Sequence, residues 1–199
     1  MSKQVIAVDI DEVLFPFTSL FLAKHNAIHG DSIEQSDLNT YYFLDELYEF
    51  ADDENPEDMI EGFLHEAYKG NMGPYNGAVE AIQKLKQNFT LEIITARRPS
   101  MQAITEKWLN KHFPEVFKGI HFPRKRSEWV SKAEICKEIG ALYLIDDHPT
   151  NLEGLQEAGV TFVLFGNYPW NKMEKLPKGV VRVNNWQEVE RYFDKELGK

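Results

Sequence analysis

Only one of the 199 residues is a cysteine, Cys136, so no internal disulfide can form. Its place in an apolar helical pattern reads as a buried structural thiol rather than a nucleophile, and a reducing compartment fits. No stretch approaches the ~18 consecutive apolar residues of a membrane span. The amino terminus, Met1 to Ile10, meets an acidic residue after a short apolar run, unlike a targeting leader, so a soluble cytoplasmic protein is expected. Glycine (12) and proline (9) are few, and 43% hydrophobic with 13% aromatic residues excludes a fibrous or disordered chain. Basic residues are missing from one segment altogether. Asp31 to Glu66 holds 13 acidic residues and no Lys or Arg, which leaves 22 basic against 19 acidic elsewhere, a balance of +3 within a net −10. A chain so charged is a poor partner for nucleic acid polymers, which need Lys and Arg gathered against phosphates.

The length suits one α/β domain with an insertion. Short apolar runs at Val5–Val8, Leu91–Ile94, Gly119–Phe122, Ala141–Ile145, Val160–Leu164 and Val180–Val183 read as strands, most of them buried on both faces, with amphipathic stretches between. This alternation predicts a parallel sheet. Helix starts are marked by Ser131 with Glu134, by Asn185 with Glu188, by Pro56, and by Asn76 ahead of a helix from Gly77 to Gln87. The alternation fails once, where about eighty residues separate the first two strands and a crossover of some dozen would suffice. Residues 17–75 are therefore expected to form a helical insertion, with helices at Ser19–Ala27, Tyr41–Phe50 and Glu57–Tyr68, and residues 1–16 with 76–199 the sheet domain.

In an open parallel sheet, ligands bind beyond the carboxyl ends of the strands. The residues found there are Asp9 and Asp11 after the first strand, Thr95 after the second, and Asp146 and Asp147 after the fourth, with Lys132 at the helix start before it. Asp9 and Asp11 are two apart and share a face if the strand continues, so four carboxylates are expected to converge. Like charges that close call for a divalent cation or raised pKa values. Oxygen-only ligands favour Mg²⁺ over zinc. The set matches the parts list of phosphoryl transfer through an aspartyl-phosphate: Asp9 attacks phosphorus, and Asp11 passes protons to the leaving oxygen and from water while offering its carbonyl to the metal. Asp9, Asp146 and Asp147 hold Mg²⁺, and Thr95, neighbouring backbone N–H groups and Lys132 hold the phosphate.

The segments Asp9-Ile10-Asp11-Glu12-Val13-Leu14, Ile93-Ile94-Thr95-Ala96-Arg97, Ser131-Lys132 and Leu144-Ile145-Asp146-Asp147, in that order, resemble the four motifs of the haloacid dehalogenase (HAD) superfamily. The resemblance covers nearly the whole chain and is nearest to the 5′(3′)-deoxyribonucleotidase-like phosphatases. It implies a three-layer Rossmann-like core, a small helical cap inserted after the first strand, Mg²⁺ dependence and phosphomonoester hydrolysis, with the cap choosing the substrate. By the same resemblance Ala96 joins Thr95 and Lys132 at the phosphate. Glu12 departs from the pattern, standing where such enzymes usually have glycine. Lys125 competes with Lys132 for the phosphate-binding role; Lys132 is preferred for its place on the first turn of a helix leading into the Asp146 strand.

The expected partner is a small phosphorylated metabolite, with a (deoxy)nucleoside monophosphate the first reading. The alternatives are a sugar phosphate or a catalytically silent module that binds a phosphorylated ligand or a protein partner. Among insert aromatics, Phe17 and Phe43 are the best candidates to touch substrate. Arg97 and Arg98 precede a helix start at Pro99, where a cation is disfavoured unless an anion is near, and Arg97 is a candidate for a substrate anion. Arg124-Lys125-Arg126 reads as a solvated loop with Trp129 beside it, and His148 as a neighbour of the acids. The stretch Phe165 to Lys178 reads as a polar-aromatic loop at the core's edge.

Overall fold

A computed structural model describes residues 3–51, 54–125 and 128–198, with the side chains of 124–129 outside the described set. Six strands form one parallel sheet: β1 (Val5–Val8), β2 (Thr90–Ile94), β3 (Phe117–His121), β6 (Ala141–Asp146), β7 (Thr161–Phe165) and β8 (Val180–Val183). Their spatial order is β3-β2-β1-β6-β7-β8. The chain winds outward from β1 in both directions, so the crevice beyond the carboxyl ends of β1 and β6 is the switch point of a doubly wound sheet. Apolar runs such as Ile6-Ala7-Val8 and Leu144-Ile145 are buried on both faces because helices cover both. One face packs against α4 (Ala78–Asn88), α5 (Gln102–His112) and α7 (Trp186–Glu196), the other against α6 (Lys132–Ile139). This is the three-layer α/β architecture expected.

Local chemistry sets the helix starts. Ser131 accepts from the Glu134 N–H while the Glu134 carboxylate accepts from the Ser131 N–H, a reciprocal cap that fixes the first turn of α6. Asn185 accepts from the Glu188 N–H at α7. For α4 the cap differs from expectation, because Gly77, at φ +78°, takes the position assigned to Asn76. The basic run expected as a loop is partly a two-stranded antiparallel hairpin, β4 (Arg124–Lys125) with β5 (Glu128–Trp129). Arg126 and the side chains of Lys125 and Trp129 lie outside the described set.

Between β1 and α4 lie three helices, α1 (Phe17–His29), α2 (Leu44–Leu47) and α3 (Pro56–Lys69). The middle helix is a single turn, where Tyr41 to Phe50 was expected. Side chains compete with the helix for the preceding backbone: the Glu46 carboxylate accepts the N–H of Thr40, and Thr40 Oγ1 accepts that of Tyr42. Phe17 and Phe43, expected at the substrate, are 7% and 5% exposed and pack ring to ring with each other and with Phe21 and Phe63. Burial of this aromatic cluster takes them up. No helix among the described residues is long and apolar enough to cross a membrane.

Candidate active site

The Asp9 N–H donates to Ile145 O at 3.0 Å, which carries the β1–β6 register one residue past the strand and sets Asp9 beside Asp146. One oxygen each from Asp9, Asp146 and Asp147, all buried, lie within 4.8 Å of one another. Lys132 Nζ reaches into this group from the first turn of α6, donating to Asp146 Oδ2 at 2.6 Å and standing 3.1 Å from Asp9 Oδ2. The remaining valences of Asp146 are met by the His148 N–H (2.9 Å) and Asn151 Nδ2 (3.0 Å). Asp147 Oδ2 accepts from Trp170 Nε1 at 2.8 Å, and its carbonyl accepts from the fully buried Asn171. Asp9 Oδ1 is buried with no hydrogen-bond partner.

Three carboxylates against one ammonium leave an excess of negative charge in a buried site. Burial, with Asp146 and Asp11 adding to it and Lys132 opposing, pushes the Asp9 carboxyl up to about 7. Burial and then Asp146 and Asp9 hold Asp147 well above the usual carboxylate range. For Lys132 burial works against the charge, but Asp146 and Asp9 outweigh it and raise its pKa. An all-oxygen donor set with an orphaned carboxylate oxygen suits a hard divalent cation, so these residues fit a metal site.

Asp11 stands beside this group rather than in it, which corrects the expected convergence of four. Strand β1 stops at Val8, and the N–H groups of Leu14 and Phe15 turn back onto Ile10 O, so Asp9 and Asp11 do not share a strand face. Asp11 is instead gripped at both oxygens by Arg97, from Nε at 2.8 Å and from the terminal nitrogen at 2.6 Å. Arg97 is itself buried, lies over the rings of Tyr68 and Phe15, and donates to Thr105. The anion that justifies a cation before Pro99 is therefore the protein's own. Arg98 likewise pairs with Glu57 and Asp58 of α3. Thr95 is fully buried at the end of β2, with its N–H on His121 O at 3.1 Å and its Oγ1 accepting from the Arg97 N–H; Ala96 beside it is exposed.

Sequence reasoning passed over several contributors. Trp170 and Asn171 sit in the polar-aromatic stretch after β7, whose composition names no role, and Asn151 carries no local signature. Tyr41 comes over the site from the insert: its ring centroid is 4.2 Å from that of His148 and 5.9 Å from that of Trp170. Burial and then Asp147 and Asp9 raise its hydroxyl pKa. Glu12 is buried at φ +59°, and its carboxylate accepts from the Thr18 N–H, from Gln35 Nε2 (2.9 Å) and from Tyr75 Oη (2.9 Å). Burial raises its pKa against those hydrogen bonds.

Residues 3–195 match the family described as 5′ nucleotidase, deoxy (Pyrimidine), cytosolic type C protein. A Bacillus subtilis 5′(3′)-deoxyribonucleotidase is 22% identical over 191 residues, covering 95% of this chain and 98% of that one. A Staphylococcus epidermidis protein provisionally given the same name is 26% identical over 197 residues, 98% of each chain. Among solved structures, a HAD family hydrolase from Deinococcus radiodurans with bound phosphate and sodium aligns at TM-score 0.64 and 14% identity, over 97% of this chain and 96% of that one. A Bacillus subtilis protein provisionally named a HAD hydrolase, bound to magnesium, aligns at TM-score 0.61 and 16% identity, over 98% and 100%. Those two share the fold. With the family match spanning nearly its full length, the chain belongs to the family of 5′ nucleotidase, deoxy (Pyrimidine), cytosolic type C proteins.

Proposed function

We propose that the protein is a Mg²⁺-dependent phosphomonoester hydrolase that works through an aspartyl-phosphate on Asp9, with a (deoxy)nucleoside monophosphate as substrate. The observation that carries this reading is the unpartnered Oδ1 of Asp9, a buried carboxylate oxygen beside two further carboxylates and one ammonium. In the first half-reaction an Asp9 oxygen bonds to phosphorus, the ester P–O bond breaks, and its electron pair leaves on the alcohol oxygen, which takes a proton from Asp11. In the second, a water oxygen bonds to phosphorus, its proton passes to Asp11, and the P–O bond to Asp9 breaks to restore the carboxylate. Both Asp11 oxygens accept from Arg97 in this structure, so one arm of that fork has to open for Asp11 to pass a proton, and the other keeps the carboxyl in place.

Asp9, Asp146 and Asp147 would hold magnesium together with the Asp11 carbonyl, and the ion would neutralise charge on the transferring group. Thr95, the Ala96 N–H and Lys132 would take the phosphate oxygens. Residues 17–75 would act as the cap that selects the alcohol. The family match supports a nucleoside monophosphate over a sugar phosphate. A lone buried Cys136 and the acidic insert suit a cytoplasmic enzyme acting on small molecules rather than polymers.

The deciding experiment is a screen of the wild type against phosphorylated metabolites, deoxyribonucleoside and ribonucleoside monophosphates included, run beside Asp9→Asn. Asp9→Asn is expected to lose hydrolysis of p-nitrophenyl phosphate by at least about a thousandfold with an unchanged circular dichroism spectrum. Turnover like that of the wild type in this variant would overturn the mechanism.

A further inference from the structure

The turn that follows Asp11 needs one residue with positive φ, a conformation glycine adopts freely and other residues do not. Glu12 holds that position at φ +59°, 2% exposed, and its side chain does work a glycine could not. Helix α1 begins after Pro16 with no side chain of its own capping the first turn, and one Glu12 oxygen accepts the free N–H of Thr18 there. The carboxylate thus sits at the positive end of the helix, where the Phe17 N–H is met by Phe15 O and that of Thr18 by Glu12. The other Glu12 oxygen accepts from Gln35, deep within the insert, and from Tyr75, where the chain comes back to the sheet domain. Tyr75 is itself fixed to the catalytic loop by its N–H on Leu14 O (2.8 Å). Tyr168, from the loop that also carries Trp170, donates to the Glu12 carbonyl at 2.8 Å and meets Tyr75 Oη at 3.1 Å. The start, the middle and the return of the insert therefore meet on one carboxylate, one residue from Asp11.

We infer that Glu12 is a positioning residue that ties the insert to the catalytic loop and so sets how residues 17–75 sit over the acidic group. The inference rests on reading residues 17–75 as the part that selects the substrate. Of the three ties, those to Thr18 and Tyr75 lie next to the chain crossings and pin the insert's base. Gln35 lies between them in sequence and holds the body of the insert down. Breaking the Gln35 tie loosens the insert while leaving Asp9, Asp11 and their loop intact; removing the carboxylate loosens all three.

The test compares Gln35→Ala and Glu12→Gln with the wild type in the intact protein, on two substrates. One is p-nitrophenyl phosphate, too small to rely on the insert; the other is the nucleoside monophosphate, or failing that the bulkiest metabolite phosphate, that the wild type hydrolyses. Both variants are expected to raise KM for the large substrate about tenfold, and Gln35→Ala, which lies outside the catalytic loop, to keep kcat/KM for p-nitrophenyl phosphate within about twofold. An equal loss on both substrates would mean mere destabilisation or damage to the catalytic loop and would overturn the inference, as would no change on either. If Glu12→Gln fails to fold, Gln35→Ala alone decides. Activity on p-nitrophenyl phosphate without any nucleotide turnover would sink the proposed substrate and leave the tie to be judged on the other large substrate. A wild type inert toward every phosphomonoester would sink the function and the inference together.

Discussion

Lys132 is where the electrostatics of single residues are most exposed. Its ammonium is the only cation paired with Asp9 and Asp146 among the described residues, and all three groups are buried. Removing one partner from a buried pair leaves uncompensated charge, at a typical cost of about 3–5 kcal/mol. Lys132→Met is accordingly expected to lower the urea midpoint strongly in the presence of chelator, and to lose at least about a hundredfold in kcat; a midpoint equal to that of the wild type would contradict this account. Asp9, Asp146, Asp147 and Lys132, which the structure brings together, were legible in the sequence because each sits at a strand end or helix start that apolar patterning marks out. Trp170 and Asn151 were not, because they reach Asp147 and Asp146 from short 3-10 turns whose placement is set by tertiary packing. The fate of Asp11 depended on where β1 ends, a boundary that periodicity does not fix.

Elements were readable where a local signal and the burial pattern agreed, as at Ser131 and Asn185, and the parallel sheet followed from strands apolar on both faces. The single-turn α2 escaped because Thr40 and Glu46 divert the backbone through side-chain hydrogen bonds that no hydrophobic spacing reports. Between elements, the chief charged contact of the insert with the sheet domain is Arg98 against α3, paired to Glu57 and to Asp58 (2.6 Å) with Glu61 at 3.5 Å, and backed by Ser100 on Glu61. Asp58 is 72% exposed, so the cluster is screened by water and salt, and a contribution of about 1 kcal/mol or less is expected. Arg98→Ala should speed proteolytic nicking of residues 31–66 at low ionic strength, with the difference from the wild type vanishing near 0.5 M salt, about where screening is short-ranged. A difference that persists at high salt would mean the contact is not electrostatic.

At the scale of the whole molecule, the net −10 divides into an acidic insert and a slightly basic sheet domain that carries its own buried knot of acids. That knot makes stability depend on pH in an unusual direction. An unfolded Asp titrates near 3.8, whereas burial holds folded Asp9 up to about 7 and raises Asp147 in the same sense. The folded state thus keeps protons that the unfolded state has lost. The stability this contributes is whole below about pH 4 and is lost as pH rises toward 7. Thermal scans in chelator should therefore show Tm falling between pH 5 and 8, and added magnesium should recover more at pH 8 than at pH 5; the reverse order of recovery would contradict a cation site at these carboxylates.

The position of β1 has a consequence for how the molecule is made. The strand that leads to Asp9 precedes both of its neighbours in the chain, β2 and β6, with Val5 opposite both Thr90 and Ala141. Until residues 141–147 have been synthesised, Asp9 has neither its second flank nor the two carboxylates it stands among. A nascent chain can shape the β1–β2 pair early, but it assembles the acidic group only once residues 141–147 follow, so a shorter product carries Asp9 without the carboxylates it stands among.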